Sequence, residues 1–208
     1  MYHYSENEPT EKDSFLEQRS KIQCLDLKPS LDSIPKSFNY NTRSEIREAE
    51  KEGFEVKLNK NYDDFVSLFE SQAKYKGLKM RKLPIIQIKQ QKHLLVSIWN
   101  GKSYPLACDY AGIQDESLYM IFICNARCFN ENPRLVSRAS RLAHWEAVKW
   151  AKSEGYGKIS VGALSNDPKD RGNVEFKKGF GGYEKEIKTY IKIYNPILKL
   201  LNMALKIL

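Results

Sequence analysis

The sequence lacks most of the features that let chemistry be read from composition. Its four cysteines (Cys24, Cys108, Cys124 and Cys128) are too few and too scattered for a disulfide framework. Cys124 and Cys128 stand four residues apart, but no second pair and no nearby histidine completes a zinc set. Cys124 also ends an apolar run, where a thiol packs as a small hydrophobe, so no metal site is expected. No apolar stretch reaches the ~18 residues needed to cross a bilayer. The first residues carry Glu6, Glu8, Glu11, Asp13 and Glu17 where a signal peptide would be apolar, which makes a cytoplasmic location the expectation. There is no internal repeat, no helix-turn-helix and no RNP-type motif.

What is present bounds the rest. A chain of 208 residues, 41% of them hydrophobic and 12% aromatic, has the length and apolar content for one globular domain with tails, and global disorder is excluded. The formal net charge of +8 points to anionic partners: nucleic acid, phosphate-bearing substrates or a lipid surface.

Along the chain, residues 1–20 are polar without periodicity and predict a mobile tail. Residues 21–27 predict a strand. Thr42-x-x-Glu45 predicts a capping box opening a helix that Gly53 closes, and residues 54–58 alternate as a strand. Asn61 is placed to cap a second helix with the apolar stripe Phe65, Val66, Leu68, Phe69 and Ala73, ended by Gly77. Residues 94–99 and 104–111 predict a hairpin turned at Asn100-Gly101, since a type I′ turn needs positive φ at both positions. A third strand over 117–126 follows. A helix over 140–154, a strand over 159–164, a short helix and a last strand over 183–194 complete the order. The expected fold class is α/β (α+β), a mixed, mostly antiparallel sheet flanked by helices.

Two stretches carry more than fold. His144-Trp-Glu-Ala-Val-Lys-Trp-Ala-Lys-Ser-Glu-Gly155 reads as an aromatic-rich amphipathic helix stopped by glycine. Phe176-Lys-Lys-Gly-Phe-Gly-Gly182 puts a lysine behind an aromatic and closes with three glycines in four positions. Together with Arg43-x-x-Ile-Arg-x-Ala-x-Lys-x-Gly53, and in this order over about residues 22–194, they resemble the FemAB-type aminoacyltransferases, a branch of the GNAT superfamily. The resemblance implies a GNAT-like domain over residues 21–195, with 196–208 as an appended amphipathic segment. It also implies that Phe176 and Lys177 stand at the reaction centre, the lysine ammonium stabilising developing negative charge. At the place where most GNAT enzymes carry Arg-x-x-Gly-x-Gly/Ala for the CoA pyrophosphate, this chain has Arg138-Ala-Ser-Arg-Leu-Ala143. Arg141 fills the glycine position, and FemAB-type enzymes also lack that loop. The strand after the tryptophan helix reads Ile159-Ser-Val-Gly-Ala163, with Ser160 in place of a carboxylate and Ala163 in place of a glycine.

Acyl transfer to an amine needs an unprotonated nucleophile, a held carbonyl and a stabilised oxyanion. The candidate residues are accordingly Lys177 and Phe176 for catalysis, and Arg138, Ser140 and Arg141 for the donor. Asp109, Tyr110, Lys79 and Arg81 are the candidates for the second substrate. His144, between apolar neighbours in a helix, is expected to be a structural histidine. No tightly bound cofactor is expected; the acyl donor would be aminoacyl-tRNA or acyl-CoA, and the acceptor an anionic cell-envelope precursor bearing an amine. Family members with two GNAT-like halves suggest that a complete acceptor groove needs a second subunit, as in a homodimer, or another protein. The segment 196–208 would suit a membrane surface or packing against protein. Two other functions fit the composition: a CoA-dependent N-acetyltransferase of an amino sugar, and a non-catalytic module that binds anionic partners.

Overall fold

Asparagine side chains decide where the two helices that cover one face of the fold begin. Asn39 Oδ1 accepts from the Thr42 amide at 2.8 Å and opens α1 (Tyr40–Lys51). Asn132 Oδ1 accepts from the amides of Arg134 (2.9 Å) and Leu135 (3.4 Å), with Pro133 at the first helical position, and opens α3 (Pro133–Ser153). Both are N-caps that satisfy amides lacking intrahelical partners. They correct two expectations. Thr42 is a buried residue within α1 rather than its cap, and α3 starts seven residues before position 140. The second helix, α2 (Tyr62–Tyr75), begins after Asn61, which takes the left-handed conformation and bonds Asp64 through Nδ2 at 3.0 Å. A short helix, α4 (Arg171–Lys178), comes late in the chain.

The structure, a computed structural model, describes residues 2–4, 15–78, 92–114 and 116–192. Within them lie the strands β1 (Tyr2–Tyr4), β2 (Phe15–Asp26), β3 (Glu55–Leu58), β4 (His93–Trp99), β5 (Ala107–Gln114), β6 (Ser117–Asn125), β7 (Lys158–Leu164) and β8 (Tyr183–Lys192). They form one sheet in the order β1-β8-β2-β7-β6-β5-β4-β3. Every neighbouring pair is antiparallel except β6 and β7, which α3 connects as a parallel pair. The expected mixed, mostly antiparallel sheet with flanking helices is therefore the fold.

Two local expectations change. Residues 2–4 and 15–20 are strand rather than tail, because β8 supplies a backbone ladder from Phe15↔Lys192 to Cys24↔Tyr183 that side-chain periodicity does not encode. The β4–β5 connection is not a two-residue turn: β5 starts at Ala107, opposite Ile98, leaving a longer loop with Gly101 at φ +64°. Pro105 lies within that loop, and it has no amide to donate to a ladder. Lys79, Arg81 and the segment 196–208 lie outside the described residues.

The core is a two-sided seat on β4–β7. Asp109 and Tyr110 are consecutive on β5 and so face opposite sides of the sheet. Tyr110 meets α2, stacking on Phe65 with centroids 5.8 Å apart. Asp109 meets α3 through an ion pair of its Oδ2 with His144 Nδ1, both residues 1% exposed. On the α3 side, Phe38 packs edge-on against Trp145 (5.8 Å) and Phe180 (5.2 Å). Across the outer surface of that layer α1 is tied to α3 by Arg138, which pairs with Glu45 (3.8 Å), Glu48 (3.8 Å) and Glu52.

The glycines after α4 are packing devices. Gly181 (φ +69°) and Gly182 (φ +80°) have left-handed backbones, and a Cβ on either would overlap a carbonyl oxygen, that of Ser37 or of Cys24. Only glycine lets this turn close onto β2 and the short 3₁₀ turn at Ile34–Ser37.

Two stability tests follow from this packing. Gly182→Ala, which adds strain to a backbone clash, is expected to cost more than about 3 kcal/mol. Gly172→Ala on α4, where an added Cβ meets nothing, should gain up to about 1 kcal/mol. Arg138→Met should lose about 2–3 kcal/mol by stranding half-buried carboxylates. Glu48→Gln, whose side chain is 42% exposed, should cost much less than Arg138→Met, because solvent screens an exposed pair. Urea unfolding of each variant reads all four.

Candidate active site

The parallel pair β6–β7 holds together for only three residue pairs: Ser117↔Lys158, Leu118↔Ile159 and Tyr119↔Ser160. Beyond them β6 follows β5 and β7 follows β2, and each of those ladders shifts register just past the last parallel pair. The β5–β6 register shifts between Tyr110 and Ala111, skipping Ile121. The β2–β7 register shifts between Gln23 and Cys24, skipping Val161. An extra residue bends its strand and increases its twist, so two irregularities on the two strands drive them apart.

The gap is a cleft of about 370 Å³. Its walls combine apolar side chains, among them Ile22, Ile123 and Ile187, with the polar groups of Gln72, Asn125 and Asn173 and two lysines, Lys76 and Lys177. The end of α2 supplies Gln72 and Lys76; α4 supplies Phe176 and Lys177. Ser160 is 4% exposed and accepts from the Gly162 amide at 3.2 Å. The hydroxyl thus satisfies backbone beside the irregularity. Gly162 has φ +116°, and a Cβ there would lie 3.2 Å from Lys177 Cε. The lysine side chain occupies the space that glycine leaves.

Lys177 Nζ donates to the Ala163 carbonyl at the lip of the cleft. Burial pushes its amine below the ordinary lysine range; Asp170 opposes that shift and Lys76 adds to it. An ammonium held in a partly desolvated wall interacts with a nearby developing negative charge more strongly than one in water. Phe176, beside it, also lines the cleft. Its ring carries the Arg141 guanidinium at 5.3 Å and takes the His144 ring edge-on at 4.9 Å.

The other sequence candidates fall elsewhere, and their assigned roles are corrected. Residues 138–143 lie inside α3, so their backbone amides belong to a helix interior and form no phosphate loop. Arg138 is committed to three glutamates of α1. Ser140 is buried and donates to the Val136 carbonyl at 2.8 Å. Arg141 comes nearer, but its guanidinium is tied to Ser137 Oγ and, at 3.4 Å, to the Ser137 carbonyl. Burial lowers its pKa, Glu45 raising it and Arg127 lowering it further. Asp109 and Tyr110 are core residues, 1% and 3% exposed. Burial raises the Asp109 carboxyl against the opposing effect of His144, and pushes the Tyr110 hydroxyl up to about 12. His144, expected to be a structural histidine, is buried on α3 at 1% exposure.

Sequence reasoning did not reach Gln72, Asn125 or Asn173 as lining residues. One of them left a signal. Gln72 falls three residues after Phe69 and four after Leu68, on the apolar stripe of α2, and it is 7% exposed; its Nε2 donates to the Asn125 carbonyl at 3.4 Å. A polar residue on an apolar stripe marks a place where the core gives way to a site.

No family model matches the sequence, and no curated protein matches it. Solved structures do match the fold. FemX superposes with a TM-score of 0.70 at 14% identity, over 97% of this chain and 68% of that one. L-PGS from Bacillus licheniformis gives 0.58 at 10% identity, over 92% and 67%. The C-terminal DUF2156 domain of a putative lysylphosphatidylglycerol synthetase from Agrobacterium fabrum gives 0.59 at 8% identity, over 92% and 65%. The chain thus spans about two thirds of the length of each. It shares the fold of these three proteins.

Proposed function

We propose that this protein is an acyltransferase of FemAB type, moving an aminoacyl group from a charged tRNA onto an amine of a cell-envelope precursor. The observation that carries this reading is the position of Lys177. Its ammonium stands at the lip of a cleft opened between β6 and β7, on the short helix that also presents Phe176.

In the reaction, the acceptor nitrogen attacks the ester carbonyl carbon of the donor. A C–N bond forms, the C–O bond to the ribose breaks, and the proton lost from nitrogen leaves with the ribose hydroxyl. Between these events the carbonyl oxygen carries negative charge, which the Lys177 ammonium offsets. Phe176 and the apolar wall exclude water that would hydrolyse the ester. The helical state of residues 138–143 supports a tRNA donor over acyl-CoA, because a helix interior offers no free amides to a pyrophosphate. Among the described residues no helix is long and apolar enough to cross a membrane.

Three measurements test the reading. Purified protein should bind charged tRNA saturably, uncharged tRNA more weakly and acetyl-CoA not at all; acetyl-CoA binding in a calorimeter would move the protein to the N-acetyltransferases. Salt-sensitive binding of nucleic acid without any transfer to an amine acceptor would favour a non-catalytic module. Lys177→Ala should lower turnover about 10²–10³-fold with little change in melting temperature, and a variant turning over near the normal rate would sink the assignment. Because the ammonium, not the free amine, offsets the oxyanion, the rate should fall as pH rises through the lowered Lys177 pKa. That alkaline limb should therefore lie below the ordinary lysine value of about 10.4.

A further inference from the structure

The helix that carries Lys177 is poorly anchored by itself. It is eight residues long, and none of its residues is buried. Its attachment to the core runs through Phe176, which is half-buried, and through Phe180 just beyond its end, which is fully buried. These two rings, four apart in sequence, share one seat. His144 meets Phe176 edge-on at 4.9 Å and 89°, and stacks on Phe180 at 5.1 Å and 27°.

The orientation of the His144 ring is in turn fixed. Its Nδ1 pairs with Asp109 Oδ2 on the central strand β5, and both side chains are buried. A buried pair of this kind gains little stability, since apolar residues of similar volume are often neutral or better in its place. An aliphatic side chain would fill the volume but would fix neither ring, whereas an imidazole whose Nδ1 sits against a buried carboxylate has its plane constrained.

We propose that His144, oriented by Asp109, is a positioning residue that sets the place of Lys177 in the cleft by seating Phe176 and Phe180. The path is continuous: Asp109 fixes the His144 ring, the ring fixes Phe176, and Phe176 fixes the helical register of the next residue. Arg141 on Phe176 closes the seat from another side. The significance of this role rests on the reading of Lys177 as the group that meets the oxyanion.

The test reads the Lys177 amine directly and needs neither donor nor acceptor. The full chain is labelled with trace acetic anhydride across a pH series, and modification of Lys177 is followed by mass spectrometry, with an added free amine as internal reference. In the wild type the Lys177 midpoint should fall below the ordinary lysine range, because burial disfavours its charge, Asp170 only partly opposes that and Lys76 adds to it. In Asp109→Asn and in His144→Leu the midpoint should rise toward that range, about one unit representing a tenfold change in free amine at fixed pH. Circular dichroism should show the fold retained. Phe176→Leu, which leaves no buried charge unpaired, should give the same rise and serves if either core variant fails to fold. A folded variant from this set whose Lys177 midpoint equals that of the wild type would overturn the positioning role, leaving acyl transfer untouched. Failure to detect transfer with any donor would leave the midpoint result standing.

Discussion

The early end of one strand pairing is the constraint on which the rest of this molecule depends. Two strands that run parallel for three residue pairs and then separate cannot satisfy their facing backbone groups with each other. They must be held by their outer neighbours instead, β6 by β5 and β7 by β2. The register shift in each outer ladder is the adjustment that makes this feasible, and Ser160 satisfies the Gly162 amide where the second one occurs. The result is a polar-lined cleft in the middle of an otherwise apolar sheet, walled in part by the end of α2 and by α4.

Around that gap the fold divides its labour between the two faces. The α1–α3 layer is rigid and closed: a T-shaped aromatic cluster at Phe38, an arginine gripped by three glutamates, and a buried Asp–His pair. The groups that reach the cleft come from element ends, Gln72 and Lys76 from the last turn of α2 and Phe176 and Lys177 from α4. A lysine on such a short helix would be costly to hold half-desolvated unless something stiff stood behind it. The stiffness is borrowed from the α3 layer through His144 and from the turn at Gly181 and Gly182, which fits directly against backbone.

Much of this was legible in the sequence, and the failures have physical causes. The order of elements, the apolar stripe of α2 and the Phe176-Lys177 pair could be read because periodicity and local composition encode them. The start of α3 was misjudged because Ser140 and the polar residues before it suggest a cap, whereas Asn132-Pro133 forms the true one. That single boundary error moved Arg138, Ser140 and Arg141 from a helix interior to an imagined loop, and so gave them phosphate roles the fold does not support. Asp109 and Tyr110 were misread for a different reason. An Asp-Tyr dipeptide at a strand's end is usually wet, and only the tertiary pairing with His144 and the stack on Phe65 explain why both are buried.

The cleft's charge bears on which chemistry can occur there. The described lining holds two ammonium groups and no carboxylate, and the stretch of sequence after α2, from Lys79 to Lys92, contains no acid. A cationic acceptor amine entering this wall would be disfavoured in its protonated form by the same burial that lowers the Lys177 pKa. Free amine is the form that attacks in the proposed reaction, and the proposal gives the oxyanion to Lys177. A carboxylate base at Ser160, in the position where related sequences carry an acid, would oppose that effect and draw the ammonium form in. The serine instead satisfies strand backbone, and the electrostatics of the site rest on lysine.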